Sequence, residues 1–317
     1  MRDVFVQRLQ AIATTDARVT LITGDLGFGV LDKFAAALPG QYLNAGVAEQ
    51  NMTGLATGLA LEGRVVFTYS IANFPTLRCL EQIRNDACYH GADVKVVAIG
   101  GGFSYGALGI SHHATEDLAI LRALPDITVV VPGCDWEAEE ATAALVAKPG
   151  TAYLRLDKST AGNTRREGER FELGRWRTVR EGSALTVITS GGILGVVLKA
   201  AETLAGEGVD VRVVSAHTLK PFDRAAIGAA CSETGGILTV EEHTLDGGLG
   251  SVVAESCLDE GWRPKAFGRL GLVAGFSSLV GSQDYLRSSY GLDERAVVGA
   301  VRDLLAGRRV RAGVRAE

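Results

Sequence analysis

Short, continuously apolar runs alternate along this chain with longer stretches of helical period. In the first half the runs are VTLIT (19–23), RVVFT (64–68), VKVVAI (94–99), ITVVV (127–131) and AYLRL (152–156), with a shorter candidate at Tyr42–Asn44. They are apolar throughout and do not alternate, as expected of strands buried on both faces of a parallel sheet. The segments between them predict helices: Glu49 to Glu62, Thr76 to Tyr89, and one after Asp135 holding WEAEEATAALVA. A second series follows. Its strands are LTVIT (185–189), DVRVVS (210–215), GILTVE (236–241) and a weaker one near Lys265–Leu270, with helices at about 193–207, 223–233, 248–260 and 293–305. Asp223, after Pro221, reads as a helix N-cap. Strand–helix alternation of this kind predicts an α/β fold with two doubly wound domains.

Between the two series the stretch 157–182 turns polar, charged and glycine-bearing. That change marks a boundary: a first domain over 1–160, a linker over 161–182 and a second domain over 183–317. There is no internal repeat and no low-complexity tract.

Composition narrows the function classes. With 317 residues, 47% of them apolar, each half has enough material for its own core. The net charge of −5 is spread without acidic or basic blocks, which argues against a nucleic-acid surface or a polybasic membrane patch. Five cysteines, at 79, 88, 134, 231 and 257, form no CxxC pair and read as small buried residues in a reducing compartment. The N-terminal MRDVFVQRLQ carries charges within its apolar stretch, unlike a signal peptide, and no run approaches the ~20 residues of a membrane span. A soluble cytoplasmic protein is expected.

Parallel sheets place chemistry in the loops at the carboxyl ends of their strands. After VTLIT comes Gly24-Asp25-Leu26-Gly27; after Tyr42–Asn44 comes GVAEQNM; after RVVFT comes YSIANFP; after VKVVAI comes GGGFSYGALGISHHATED. Taken singly, each has an ordinary explanation. Glu49 suits the first turn of a helix, where the dipole favours an acid. Gly54 and Gly58 permit close helix packing. The Gly100–Gly109 loop lacks the GxGxxG spacing of a dinucleotide site, and no P-loop or GxSxG elbow is present. His112 and His113, being adjacent, point apart and lack a third ligand for a metal.

Their order along the chain says more. NAGVAEQNMTGLATGLALEG, SHHATEDLAILRALPDITVVVPGCDWEAEEA, VRVVSAHTLKPFD with VEEHTLDGGLGS, and GLVAGFSSLVGSQDYLRSSYGLD resemble, in that sequence, segments of the transketolase family. The likeness runs from about residue 2 to 305 and covers that family's pyrimidine-binding and C-terminal domains. It implies an enzyme that transfers a two-carbon ketol unit between sugars through a thiamine diphosphate carbanion. The family's third domain holds the diphosphate through a Gly-Asp-Gly motif that carries a divalent metal. No GDG occurs here. The resemblance therefore implies a partner: a large subunit with the diphosphate-binding domain and its Mg2+, in an α2β2 heterotetramer.

Residue by residue, Glu49 matches the glutamate that shares a proton with N1′ of the cofactor's pyrimidine. Its Leu, Ala and Gly surroundings favour the protonated form that this role needs. Phe74 is placed to stack on that ring, with Tyr69 as the alternative. His112 matches a histidine beside the substrate's reacting carbons, a role suited to a neutral imidazole. Asp25 aligns with an aspartate near the cofactor or the subunit interface, and His243 is assigned to packing of the second domain or to the interface. The substrate half departs from the family. Leu108 replaces an aspartate that contacts substrate hydroxyls. Gly29, Gly100 and Leu156 stand where a Ser, a His and an Arg hold a sugar phosphate, with Arg155 and Arg2 as possible substitutes. The alternatives are the beta subunit of a 2-oxoacid dehydrogenase, a deoxyxylulose-phosphate-synthase-like carboligase, and a non-catalytic regulatory α/β protein.

Overall fold

The computed structural model describes residues 1–273 and 275–310. Among these residues, twelve strands form two sheets: β1 (Val19–Thr23), β2 (Tyr42–Asn44), β3 (Val65–Ile71), β4 (Val94–Ile99), β5 (Thr128–Val130), β6 (Ala152–Leu156), β7 (Arg177–Arg180), β8 (Leu185–Thr189), β9 (Val211–Ser215), β10 (Thr218–Lys220), β11 (Ile237–Thr244) and β12 (Phe267–Leu272). The seven-stranded sheet has the order β10-β5-β6-β4-β3-β1-β2, and the five-stranded sheet β12-β11-β8-β9-β7. All pairings are parallel except β10 on β5 and β7 on β9. Two mainly parallel α/β sheets are present, as the alternation predicts.

The unbroken apolar runs are explained by helices on both faces. On one face of the first sheet, Met52, Ala56 and Ala60 of helix Glu49–Leu61 pack with Ile22, Val66 and Val96. On the other, Phe5 and Leu9 of helix Arg2–Ala13 pack with Leu21, Phe67 and Tyr69. The first of these cores continues into the second domain, where Ile188 and Val214 join Val129 and Tyr153. The Asp223 side chain accepts from Ala226 N at 2.9 Å, the expected cap of helix Arg224–Glu233.

Three local expectations change. The segment from Thr76 to Tyr89 is no single α-helix: a 3-10 turn at Leu77–Cys79 leads through Leu80–Gln82 into a π turn at Ile83–Cys88. Its last bond runs from Tyr89 N to Arg84 O, five residues back, the widened ladder often found beside functional sites. The linker contains a strand, β7, which joins the second sheet; its Arg177 is buried by ion pairs with Glu137 (2.5 Å) and Glu169 (2.8 Å). And β10, from the second half, closes the edge of the first sheet.

A buried polar network also ties the halves together. The Arg155 guanidinium bonds Asp117 (3.1 Å) and Asp157 (3.2 Å) and donates to the Glu242 carbonyl (3.1 Å). Glu242 in turn accepts from Phe103 N (2.6 Å) and Arg287 Nε (2.6 Å). Gly101 has to be glycine here, because a Cβ would lie 1.6 Å from Arg155 Nε. Among the described residues no helix is long and apolar enough to cross a membrane. All five cysteines are free thiols, and four of them are buried.

Candidate active site

Several of the expected residues meet at the carboxyl ends of β1, β2, β3 and β4. Glu49 opens its helix directly after the β2 loop and is buried, 3% exposed. The β1 loop presses against it: a Cβ on Gly24 would stand 3.3 Å from Glu49 Cγ. Asp25 sits in that loop with a φ of 59°, its backbone N–H donating to Asn44 Oδ1 (3.0 Å) and its carboxylate accepting from Asn44 Nδ2 (2.9 Å). Asp25 therefore fixes the loops after β1 and β2 to one another beside Glu49.

The surroundings of Glu49 are not the purely apolar ones expected. Its Oε2 accepts from Arg78 Nη1 at 2.8 Å. The same guanidinium lies over the Phe74 ring, 4.5 Å from its centroid. Phe74 meets the edge of His112 with centroids 5.1 Å apart, and the His112 ring stands 6.1 Å from that of Tyr105. Tyr105 carries Lys158 Nζ 3.7 Å from its centroid. Glu49, Arg78, Phe74, His112, Tyr105 and Lys158 thus form one line of touching side chains, assembled from four separate loops.

Half-burial, with a smaller contribution from neighbouring His113, pushes the His112 pKa below its ordinary value. The imidazole is therefore neutral near pH 7, able to accept or pass on a proton. Its Nδ1 lies 2.9 Å from Ser111 Oγ. His113 is loop structure: it is buried, its Nε2 lies 3.2 Å from Gly106 O, and its carbonyl accepts from Asn73 Nδ2 at 2.7 Å. That last bond ties the β4 loop to the β3 loop carrying Phe74.

Other expected residues lie elsewhere. Tyr69 is not an alternative to Phe74. It faces the opposite side of β3, buried against Phe5 with Phe67, and burial raises its pKa. Arg155 is no substrate group, since it is 2% exposed and fully engaged by Asp117, Asp157 and the Glu242 carbonyl. His243 is buried in the same junction, its Nδ1 2.8 Å from Thr244 O. Leu156 is core, Leu108 is 56% exposed, and Gly29 lies in an exposed loop. Gly100 has a φ of +92°, and the Tyr105 ring takes its side-chain space, 2.3 Å from where a Cβ would be.

Arg78, Tyr105 and Lys158 were missed by sequence reasoning. The signals were slight: Arg78 follows Phe74 by one helical turn, and Lys158 follows the end of β6 by two residues. Lys158 also lines a cavity of 290 Å³ with Met1, Arg2, Asp3, Ile99 and Asp157. Arg2 pairs there with Asp3 at 2.8 Å. Among the described residues no group of three or more His, Cys, Asp or Glu is placed to hold a metal ion.

This architecture has known counterparts. Residues 1–163 match the family model for the transketolase pyrimidine binding domain, and residues 174–297 that for the transketolase C-terminal domain. The chain belongs to the transketolase family. It is 34% identical over 305 residues to the 6-deoxy-6-sulfo-D-fructose transketolase subunit SqwH of Clostridium sp. (strain MSTE9), covering 96% of this chain and 94% of that one. It is 33% identical over 298 residues to an apulose-4-phosphate transketolase subunit of Phocaeicola vulgatus, covering 93% and 94%. A solved structure described as a split gene transketolase, inactive beta4 tetramer, superposes with a TM-score of 0.87 at 33% identity, over 96% of this chain and 98% of that one.

Proposed function

We propose that this chain is the small subunit of a split transketolase, which with a large subunit transfers a two-carbon ketol unit between sugars. The observation that carries the reading is the alignment of buried Glu49, Phe74 and His112 at the carboxyl ends of the parallel strands. It is supported by relatives named as transketolase subunits that match this chain over nearly their whole lengths.

The cofactor is thiamine diphosphate, and the residues fit its pyrimidine half. A planar, protonatable ring needs an aromatic face and a carboxyl group, which Phe74 and Glu49 offer, and Gly24 leaves room beside that carboxyl. When bound, the cofactor supplies the electron sink for breaking and making the carbon–carbon bond. Glu49, its carboxylate paired at Oε2 with Arg78, accepts at Oε1 the proton shared with the ring nitrogen. His112 moves a proton at the substrate oxygen. Arg2 and Lys158 flank the cavity beyond Tyr105 and receive the anionic end of a sugar, in place of the contacts missing at Gly29, Gly100 and Leu156. Mg2+ and the diphosphate are held by the large subunit, in an α2β2 heterotetramer of the cytoplasm. Relatives named as subunits, matched over 94% of their own length, support that division of labour.

Glu49→Gln tests this directly. The amide is nearly isosteric but cannot share the proton. Exchange of the cofactor's C2 proton in the reconstituted complex should slow by orders of magnitude with the fold intact. Exchange at the wild-type rate would remove Glu49 from the chemistry.

A further inference from the structure

We propose that Arg78 is the positioning residue of this site: it fixes Glu49 and Phe74 relative to each other through one planar group, and leaves free the surfaces that a ligand ring needs. The proposal rests on the reading of Glu49 and Phe74 given above. Arg78 lies on the 3-10 turn Leu77–Cys79, four residues after Phe74. Its guanidinium makes two contacts at once, Nη1 to Glu49 Oε2 at 2.8 Å and the flat face of Cζ over Phe74 at 4.5 Å. The Glu49 side chain is 3% exposed and that of Arg78 45%. The ion pair therefore reaches from the buried carboxylate out to the mouth of the site.

Only one carboxylate oxygen is used. Every hydrogen bond to the Glu49 side chain among the described residues goes to Oε2, and Oε1 remains for a ring nitrogen. Only one face of Phe74 is covered by the guanidinium, while His112 approaches with its ring at 66° to that of Phe74. A carboxyl group on its own could turn about its terminal torsion, whose barrier is low and broad. Buried without a partner it would also be costly. The guanidinium removes both problems, because it is planar, permanently charged and suited to bonding a carboxylate edge while stacking on an aromatic face. A lysine supplies the charge without the plane. The turn that carries Arg78 leads through Leu80–Gln82 into the π turn at Ile83–Cys88.

The test compares Arg78→Ala and Arg78→Lys in the complex with the large subunit, with Glu49→Gln in parallel. Two quantities are read: the cofactor dissociation constant by calorimetry, and C2 proton exchange. Arg78→Ala should weaken cofactor binding and slow exchange, each by roughly 10- to 100-fold, by analogy with the loss when a group orienting a metal ligand is removed. Adding free guanidinium at tens of millimolar should restore part of both, and Arg78→Lys should fall between alanine and wild type. Two results overturn the proposal. Wild-type exchange with equal or tighter cofactor binding in Arg78→Ala would make the arginine a mere occupant of the site. A loss that neither guanidinium nor lysine repairs would make its role general packing. An unaffected Glu49→Gln would instead remove the functional reading itself, whereas an inactive Glu49→Gln beside a fully active Arg78→Ala would remove only this inference.

Discussion

The imidazole of His112 meets the ring of Phe74 edge to face, with centroids 5.1 Å apart and planes at 66°. One of these residues is assigned to the cofactor ring and the other to the substrate, so the contact marks the line between two halves of the site. Tyr105 and Lys158 continue on the His112 side, and Arg78 and Glu49 on the Phe74 side.

His112→Ala should separate those halves. Exchange of the cofactor C2 proton, which the proposed function assigns to Glu49, should stay within a few-fold of wild type. Turnover should fall by about 10²–10⁴, the usual contribution of a general acid–base group. Equal losses in both measurements would show that the two halves do not act separately.

Lys158→Ala should affect substrates according to their charge. Burial, with a smaller effect from Arg2, lowers the Lys158 pKa, and the side chain lines the cavity beside Arg2. A charge-assisted hydrogen bond contributes roughly 1.5–3 kcal/mol, so KM for a phosphorylated acceptor should rise by about one to two orders of magnitude. KM for an unphosphorylated acceptor should hardly move. Equal effects on the two acceptors would remove Lys158 from anion recognition.

The junction between the domains should titrate in two opposing directions. Burial raises the Glu241 pKa from 4.5 to about 7 and lowers that of His243 from 6.5 to about 4. Glu241 binds its proton more tightly folded than unfolded, so its contribution to stability is full below pH 4.5 and is lost as pH rises through 7. His243 binds its proton less tightly folded, so its contribution is full above pH 6.5 and is lost as pH falls through 4. Each amounts to about 3 kcal/mol, and in the wild type they largely cancel across the shared range. Glu241→Gln should expose the histidine, giving stability that rises with pH up to 6.5. His243→Gln should expose the glutamate, giving stability that falls with pH from 4.5 to 7. Urea midpoints across pH 4–7.5 check this, and parallel profiles for the two variants would contradict it.

The sequence was most informative where one cause acts over many residues. The apolar runs reveal buried parallel strands because helices cover both faces, and the cores around Met52 and Phe5 are the result. Glu49, Phe74 and His112 were singled out by the family order, and the structure brings them into one line of contacts. Contacts between distant segments were not. In a strand buried on both faces, an arginine is buried whichever way it points. Arg155 read as a substrate group because its partners Asp117 and the Glu242 carbonyl lie 38 and 87 residues away. Tyr69 was ambiguous for a related reason: only the pleat, which sets it with Val65 and Phe67, assigns it to the far face. Strands β7 and β10 were invisible because they are short and charged, and are held by edge pairing with no apolar run of their own. Arg78 was hidden because its partner Glu49 lies 29 residues away and its contact with Phe74 spans a turn outside any regular helix.

The central claim is that this chain holds half of an active site. Titration calorimetry of thiamine diphosphate with Mg2+, first into this chain alone and then into its complex with the large subunit, tests that most directly. The account predicts no tight binding to the chain alone and stoichiometric binding with turnover in the complex. Sub-micromolar binding to the chain by itself would contradict it.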